Sequence, residues 1–242
     1  MSKVAVFSDI HANLAALDEV IADATEQNIN TFACLGDVVG YGPNPSECVT
    51  RIQELKCVCV KGNHDEYVAD DHDLSRMNDQ ATEALLWTRN NLSDSQKTWL
   101  AALPYTRRLG RNQLVHATLD NPENWDYVRN SFDAAIAMEN QNTPICFYGH
   151  THRPVAFRKC KGKTEKIVSD LIDLDDGCKY LINVGSVGQP RDGIAKASYI
   201  IMDRAAKTIE FRRLDYNLES VTEQILHTGL PDSLADRLIQ AS

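Results

Sequence analysis

Residues 4–27, VAVFSDIHANLAALDEVIADATEQ, decide the fold: a short apolar strand, a polar turn carrying Asp9 and His11, and an amphipathic helix that Asn13 is placed to cap. The pattern recurs immediately. FACLGDVVGYGP (32–43) ends a second strand at Leu35 and delivers Asp37, after which Asn44 stands as a cap, Pro45 takes the first helical position and Glu47 lies near the reciprocal capping position. That helix leads to CVCVKGNHD (57–65), which delivers Asn63, His64 and Asp65. Strand–helix–strand order of this kind needs crossover connections. It predicts a parallel core sheet with helices against it and functional loops at the carboxyl ends of the strands.

Residues 66–104 break the rhythm with helical patterns at Asp79 to Asn91 and Ser95 to Ala102, the second stopped by Pro104. They read as a small helical cap insertion beside the site, serving either packing or substrate selection. From Arg111 the pattern turns to strands: QLVHA (113–117) with His116, a helix near Phe132 to Asn140, then ICFYG, PVAFRK, KIVSDLIDL, KYLINVG, SYIIMD and TIEFRRLDY. Leu218 to Gln240 reads as helical, interrupted at Gly229 and Pro231. The expectation is a single α/β domain over 1–242, a four-layer αββα sandwich of two mixed β-sheets flanked by helices.

Hydrophobic content of 43% and charged content of 24% exclude a disordered or collagenous chain, and no apolar stretch approaches bilayer length. The N-terminus enters a strand at Lys3 with no hydrophobic leader, so the chain is expected in the cytoplasm. Seven cysteines, odd in number and without a CxxC pair, read as reduced thiols, with Cys34, Cys57, Cys59 and Cys146 packed as small apolar side chains. That matches a reducing compartment. A net charge of −9 argues against long nucleic acid as a partner and leaves a small or locally gripped anion.

The chemistry-bearing residues share one setting. Asp9, His11, Asp37, Asn63, His116 and the pair His150 and His152 in FYGHTH (147–152) each follow a short apolar strand. The set supplies carboxylates, one amide and imidazoles with no thiolate, which suits divalent ions that activate water on phosphate esters. In an extended segment residues two apart face the same side, which would bring His150 and His152 together, and likewise Asp9 and His11. His72 and His227 lie outside every motif and read as surface residues, while Trp87, Trp99 and Trp125 read as packing. Tyr41 could face substrate or pack.

The order DxH, GDxxxxG, GNHD, a lone His and GHxH, running from Val4 to His152 and followed by NVGSVGQPRDG (183–193), resembles the calcineurin-like metallophosphoesterase family. The chain looks most like its small bacterial and archaeal phosphodiesterase branch. Two positions depart from the family pattern: Ala117 stands after His116 where glycine is common, and Val184 where proline is common. The resemblance implies two divalent ions, manganese first and iron, nickel or zinc as alternatives. Asp9, His11, Asp37 and His152 would bind one ion, and Asp37, Asn63, His116 and His150 the other. Asp37 would bridge them, about 3.5 to 4 Å apart. It further implies a metal-bridging hydroxide as nucleophile, His64 as the acid that protonates the leaving group, and Asp65 orienting that ring. Arg191 is a candidate for gripping phosphate, with a solvated or structural role as the competing account. The implied activity is phosphodiester hydrolysis of a small ester, possibly a nucleotide. Phosphomonoester or dinucleoside polyphosphate hydrolysis is the near alternative, and a non-catalytic scaffold, as in the retromer subunit of similar architecture, the distant one.

Overall fold

Alternation along KVAVF sends Val4 and Val6 to one side of β1 (Lys3–Phe7) and Ala5 and Phe7 to the other, and all four side chains are buried. A strand covered on both faces belongs in the middle of a layered structure. The computed structural model describes residues 2–70 and 79–242, so His72 and the rest of 71–78 of the expected cap lie outside the described residues. After β1 come α1 (Leu14–Glu26), β2 (Phe32–Cys34), α2 (Pro45–Leu55), β3 (Val58–Cys59), α3 (Asn63–Ala69), α4 (Asp79–Asn90) and α5 (Asp94–Ala101). The chain continues through β4 (Thr106–Leu109), β5 (Asn112–Val115), α6 (Ser131–Ala137), β6 (Ile145–Tyr148), β7 (Val155–Cys160), β8 (Lys163–Ile167) and β9 (Leu171–Asp173). It closes with β10 (Lys179–Asn183), β11 (Ala197–Asp203), β12 (Thr208–Leu214), α7 (Leu218–Thr228) and α8 (Ser233–Gln240).

The strands form two six-stranded mixed sheets, ordered β3-β2-β1-β11-β12-β9 and β4-β5-β6-β10-β7-β8. In the first, β1, β2 and β3 run parallel; in the second, β5, β6 and β10 do. Val4, Val6, Leu35, Ile200 and Ile209 of the first sheet meet Leu114, Phe147, Tyr180 and Ile182 of the second in one buried core. Ala5, Phe7, Cys34 and Tyr199 turn instead to α1, α2 and α5, and Cys146, Tyr148 and Phe157 turn to α6. The layers are therefore α, β, β, α.

The structure corrects several expectations. KIVSDLIDL is two strands in different sheets, β8 in the second and β9 in the first. Ser169 makes the break: its hydroxyl donates to Leu171 O at 2.6 Å and accepts from Leu171 N at 3.3 Å, a local turn that competes with strand pairing. Asn13 caps α1 as expected, accepting from Ala16 N at 3.1 Å, but Asn44 donates its amide to Gln224 on α7 and makes no cap bond. Cys160 and Cys178 form a disulfide, so the reading of all seven cysteines as reduced thiols fails for this pair. Antiparallel pairing of β10 with β7, Lys179 opposite Lys159, brings their Cα atoms to 4.7 Å, a proximity invisible in a separation of 18 residues. Among the described residues no helix is long and apolar enough to cross a membrane.

Asp23 ties α1 to the sheet beneath it, accepting from Arg212 Nη2 at 2.7 Å, from the Tyr199 hydroxyl and from Gln27 Nε2 at 3.1 Å. Burial works to raise its pKa, and the Arg212 and Tyr199 bonds overcome that and hold it below the ordinary carboxylate value. Asp23→Ala is expected to cost about 1.5–3 kcal/mol in urea unfolding at neutral pH. Because the folded-state pKa is the lower one, this stabilisation is full above the unfolded-state value and disappears as pH falls through the folded-state value. A wild-type advantage that survives at a pH below both values would place the effect elsewhere.

Candidate metal centre

The two parallel trios present their carboxyl ends along the same edge of the sandwich, and the site forms where they meet. Asp9 and His11 follow β1, Asp37 follows β2, and Asn63 and His64 open α3 after β3; across the interface His116 follows β5, and His150 and His152 follow β6. All eight side chains are buried. Potential ligand atoms of Asp9, His11, Asp37 and His152 lie within 4.8 Å of one another, and so do those of Asp37, His116 and His150. Asp37 is common to both groups.

Extended geometry is not what pairs these residues. Asp9, His11, Asp37, His150 and His152 all have positive φ, between 46° and 65°, so each sits in a left-handed turn beyond its strand. Such turns persist because neighbours over-determine them. Ser186 Oγ donates to Asp9 O at 2.8 Å, Gly188 N donates to the same carbonyl at 2.9 Å, and Asn183 Nδ2 donates to Gly149 O at 2.6 Å. Val184, the departure from proline, donates its N–H to Tyr148 O at 3.0 Å, a bond proline could not make, and its side chain lies in the core between the sheets.

Each imidazole turns one nitrogen outward to a backbone carbonyl: His11 Nδ1 to Val39 O at 3.2 Å, His116 Nδ1 to Leu35 O at 2.8 Å, His150 Nε2 to Trp125 O at 2.9 Å and His152 Nδ1 to Gln189 O at 2.6 Å. A carbonyl only accepts, so these outer nitrogens carry hydrogen, and each ring that is neutral points a lone pair inward. His11 Nε2 and His152 Nε2 then face each other at 3.0 Å with no hydrogen to share, and His116 Nε2 faces His150 Nδ1 at 3.2 Å. His152 Nε2 is also 3.2 Å from Asp9 Oδ1, and His116 Nε2 is 3.4 Å from Asp37 Oδ2. Among the described residues no lysine or arginine pairs with Asp9 or Asp37, although both are 1% exposed or less.

The charge distribution follows from that. Burial works to raise Asp9 and Asp37, yet the surrounding imidazoles hold both carboxyls well down. Burial lowers His11, His152 and His150, the last to about 3. On His116 burial is outweighed by the charge of Asp37 and its hydrogen bond, which push that ring up to about 10. A single proton on His116 leaves two buried carboxylates undercompensated, and the facing lone pairs on His11 and His152 call for a cation. The residues present therefore fit divalent ions. Asn63 Oδ1, buried and without a hydrogen-bond partner, is a further free oxygen donor.

His64 stacks edge-on against His11 with ring centroids 4.9 Å apart and lies 4.4 Å from the Tyr41 ring. Its Nδ1 is buried without a partner, and burial holds its pKa near 4, with the Asp37 charge opposing and Arg191 assisting. Asp65 does not touch this ring. Its carboxylate accepts from Val38 N at 2.8 Å and Gly62 N at 3.0 Å, so it fixes the Asp37 loop and the start of α3 instead. Asp37 Oδ1 in turn accepts from His64 N at 2.8 Å. Arg191 donates from Nη2 to Gln189 at 2.7 Å, keeps its buried Nε without a partner, and lies 5.8 Å from the Tyr41 ring centroid. His227 is exposed, Trp87 binds Thr228 O, and Trp99 packs in the core under the helices. Trp125 is buried as the packing residue the sequence suggested, and its carbonyl also orients His150, which its side chain gave no sign of. The sequence did not mark Tyr127, stacked on His150 at 4.2 Å, or Arg237 of α8, 5.7 Å from the Tyr41 ring.

A family model described as "Calcineurin-like phosphoesterase superfamily domain" matches residues 2–207. The uncharacterized protein MJ0912 of Methanocaldococcus jannaschii is 39% identical over 241 residues, spanning 98% of this chain and 97% of that one. Phosphodiesterase YfcE of Escherichia coli is 26% identical over 235 residues, spanning 93% and 98%. The crystal structure of a metallophosphoesterase from Sphaerobacter thermophilus superposes with a TM-score of 0.88 at 35% identity, over 99% of both chains.

Gly40 tests the packing of the site. It has a φ of +91°, and a Cβ there would run into His64 Nδ1. Gly40→Ala is expected to lose about 1–3 kcal/mol of stability and to displace the His64 ring. Unchanged thermal unfolding together with an unchanged His64 ring NMR signal would show that the turn has room to spare.

Proposed function

The chain belongs to the calcineurin-like phosphoesterase superfamily, and from that premise we propose that it is a binuclear metal-dependent phosphodiesterase acting on a small phosphate ester. One observation carries the reading: His11 and His152 aim lone pairs at each other across 3.0 Å beside two buried carboxylates, one of which also belongs to the His116 and His150 group. That arrangement is stable around cations and unfavourable without them. The preference for diesters is supported by the name of the Escherichia coli relative.

In this reading Asp9, His11, Asp37 and His152 hold one ion, and Asp37, Asn63, His116 and His150 hold the other. Two divalent ions bound there would supply Lewis acidity toward the phosphate and an activated water. Manganese is the first candidate, with iron, nickel and zinc suited to the same oxygen and imidazole donors. The outward N–H bonds of the four histidines lock ring orientation and tautomer in advance, which removes reorganisation from binding.

As water oxygen joins phosphorus and the bond to the leaving oxygen breaks, His64 gives that oxygen a proton. Burial, and after it the Arg191 charge, holds the free ring toward its neutral form; an anionic ester beside the ring opposes both and draws the proton in. Arg191, with its partnerless Nε, grips a nonbridging phosphate oxygen. Asp65 acts through the backbone of the Asp37 loop. A cytoplasmic location belongs to the same reading, carried by five free cysteines; the Cys160–Cys178 disulfide is the feature that speaks against it.

Asp37→Ala is expected to leave fewer than one ion per chain after manganese loading, measured by elemental analysis, while His64→Ala keeps the wild-type content. Two ions still held by Asp37→Ala would overturn the shared position. On alkyl diesters, whose leaving groups are poor, His64→Ala should lose ~10²- to 10⁴-fold in kcat, with a smaller loss on nitrophenyl diesters. Equal losses on both substrates would remove His64 from leaving-group protonation.

A further inference from the structure

Beside the metal centre lies a cleft of about 670 Å³, lined by Tyr127, Arg129, Thr151, Arg153, Lys166 and Arg191 among others. Its volume is that of a small-ligand site. Thr151 stands between His150 and His152, and Tyr127 stacks on the His150 ring while the Arg129 guanidinium lies 4.6 Å from the Tyr127 centroid. The cleft thus borders His150 and His152.

Its charge is opposite in sign to that of the chain as a whole. In a protein of net charge −9, four cations, Arg129, Arg153, Lys166 and Arg191, converge on one cleft, and among the described residues none of them forms an ion pair with a carboxylate. The carboxylate in the lining, Asp192, is already paired with Arg213. Nearby cations on β7 and β8 are neutralised: Arg158 by Glu165 and Asp175, Lys159 by Glu139, and Lys163 by Glu165. The cleft of about 750 Å³ at the opposite, amino-terminal end of the parallel strands also gathers cations, Arg111, Lys179, Arg204 and Lys207, but two carboxylates, Asp175 and Asp176, share its lining, and Asp176 pairs with Lys207. Uncompensated cations held together cost free energy through mutual repulsion, and an anion relieves it.

We infer that this cleft binds a second phosphate group of the substrate, one that is not cleaved, so that the preferred esters carry at least two phosphates. The inference rests on the phosphoesterase reading. Arg191 reaches the scissile phosphate, while Arg129, Arg153 and Lys166 form the charge array beyond it. The chemistry that fits is a phosphorylated nucleotide or a short phosphate chain: guanidinium forks match phosphate oxygens, and Tyr127 offers a partly exposed aromatic surface at the entrance.

The test compares the dinucleotide TpT with pTpT and TpTp, which present the same scissile diester with and without a terminal phosphate. For the manganese-loaded wild type, KM for at least one phosphorylated form is expected to be about tenfold below that for TpT. Arg129→Ala with Lys166→Ala should abolish that advantage while kcat/KM on TpT stays unchanged. No wild-type preference, a preference retained in the double variant, or an equal loss on TpT would each overturn the cleft assignment. Calorimetric binding of the same three compounds to metal-free protein reads the cleft independently of turnover, with Lys166→Glu expected to weaken the phosphorylated forms about tenfold and TpT not at all. Binding that shows this pattern with no hydrolysis of any compound would retain the cleft and refute the phosphodiesterase reading; hydrolysis with no difference in KM or in binding would do the reverse.

Discussion

Asp9 and Asp37, which no lysine or arginine pairs with among the described residues, are buried where the sheets meet, and most of the site is an answer to their charge. Left alone they would be expelled to water or protonated. Four imidazoles surround them, the first turn of α3 gives Asp37 a backbone N–H, and His150 N donates to Asp9 at 3.1 Å. None of these brings a full positive charge except a protonated His116. The remaining deficit shapes a place for cations, and the left-handed turns, the close-packed glycines and the outward hydrogen bonds keep it from collapsing.

The parts of this site that were legible in the sequence are those carried by side-chain identity. Asp9, His11, Asp37, Asn63, His116, His150 and His152 each follow a strand whose apolar pattern is plain, and parallel strands bring their carboxyl ends to one edge. What was not legible is carried by the backbone. Val39, Leu35, Trp125 and Gln189 orient the imidazoles through carbonyls, which every residue type possesses, so nothing in their identity reports the role. Asp65 misled for a related reason: its neighbour His64 suggested a ring contact, whereas its oxygens found the unpaired N–H groups of Val38 and Gly62.

The same division holds for the fold. The α1 boundary was readable because Asn13 has a local partner three residues on, while Asn44 in the same position found Gln224, which lies 180 residues away in sequence. KIVSDLIDL has strand composition throughout, and only the Ser169 turn sends its halves to different sheets. Pairing between distant cysteines and the gathering of Arg129, Arg153, Lys166 and Arg191 likewise depend on which strands become neighbours.

Neither ligand group belongs to one sheet. Asp9, His11 and Asp37 hang from the first, and His116, His150 and His152 from the second, so the coordination shell exists only once the sheets have docked. An ion that prefers this shell to the ligands of an unfolded chain adds its binding free energy to the docking step itself. Metal availability then becomes a thermodynamic term in folding: at fixed protein concentration and temperature, the fraction of chains with mated sheets rises with free metal.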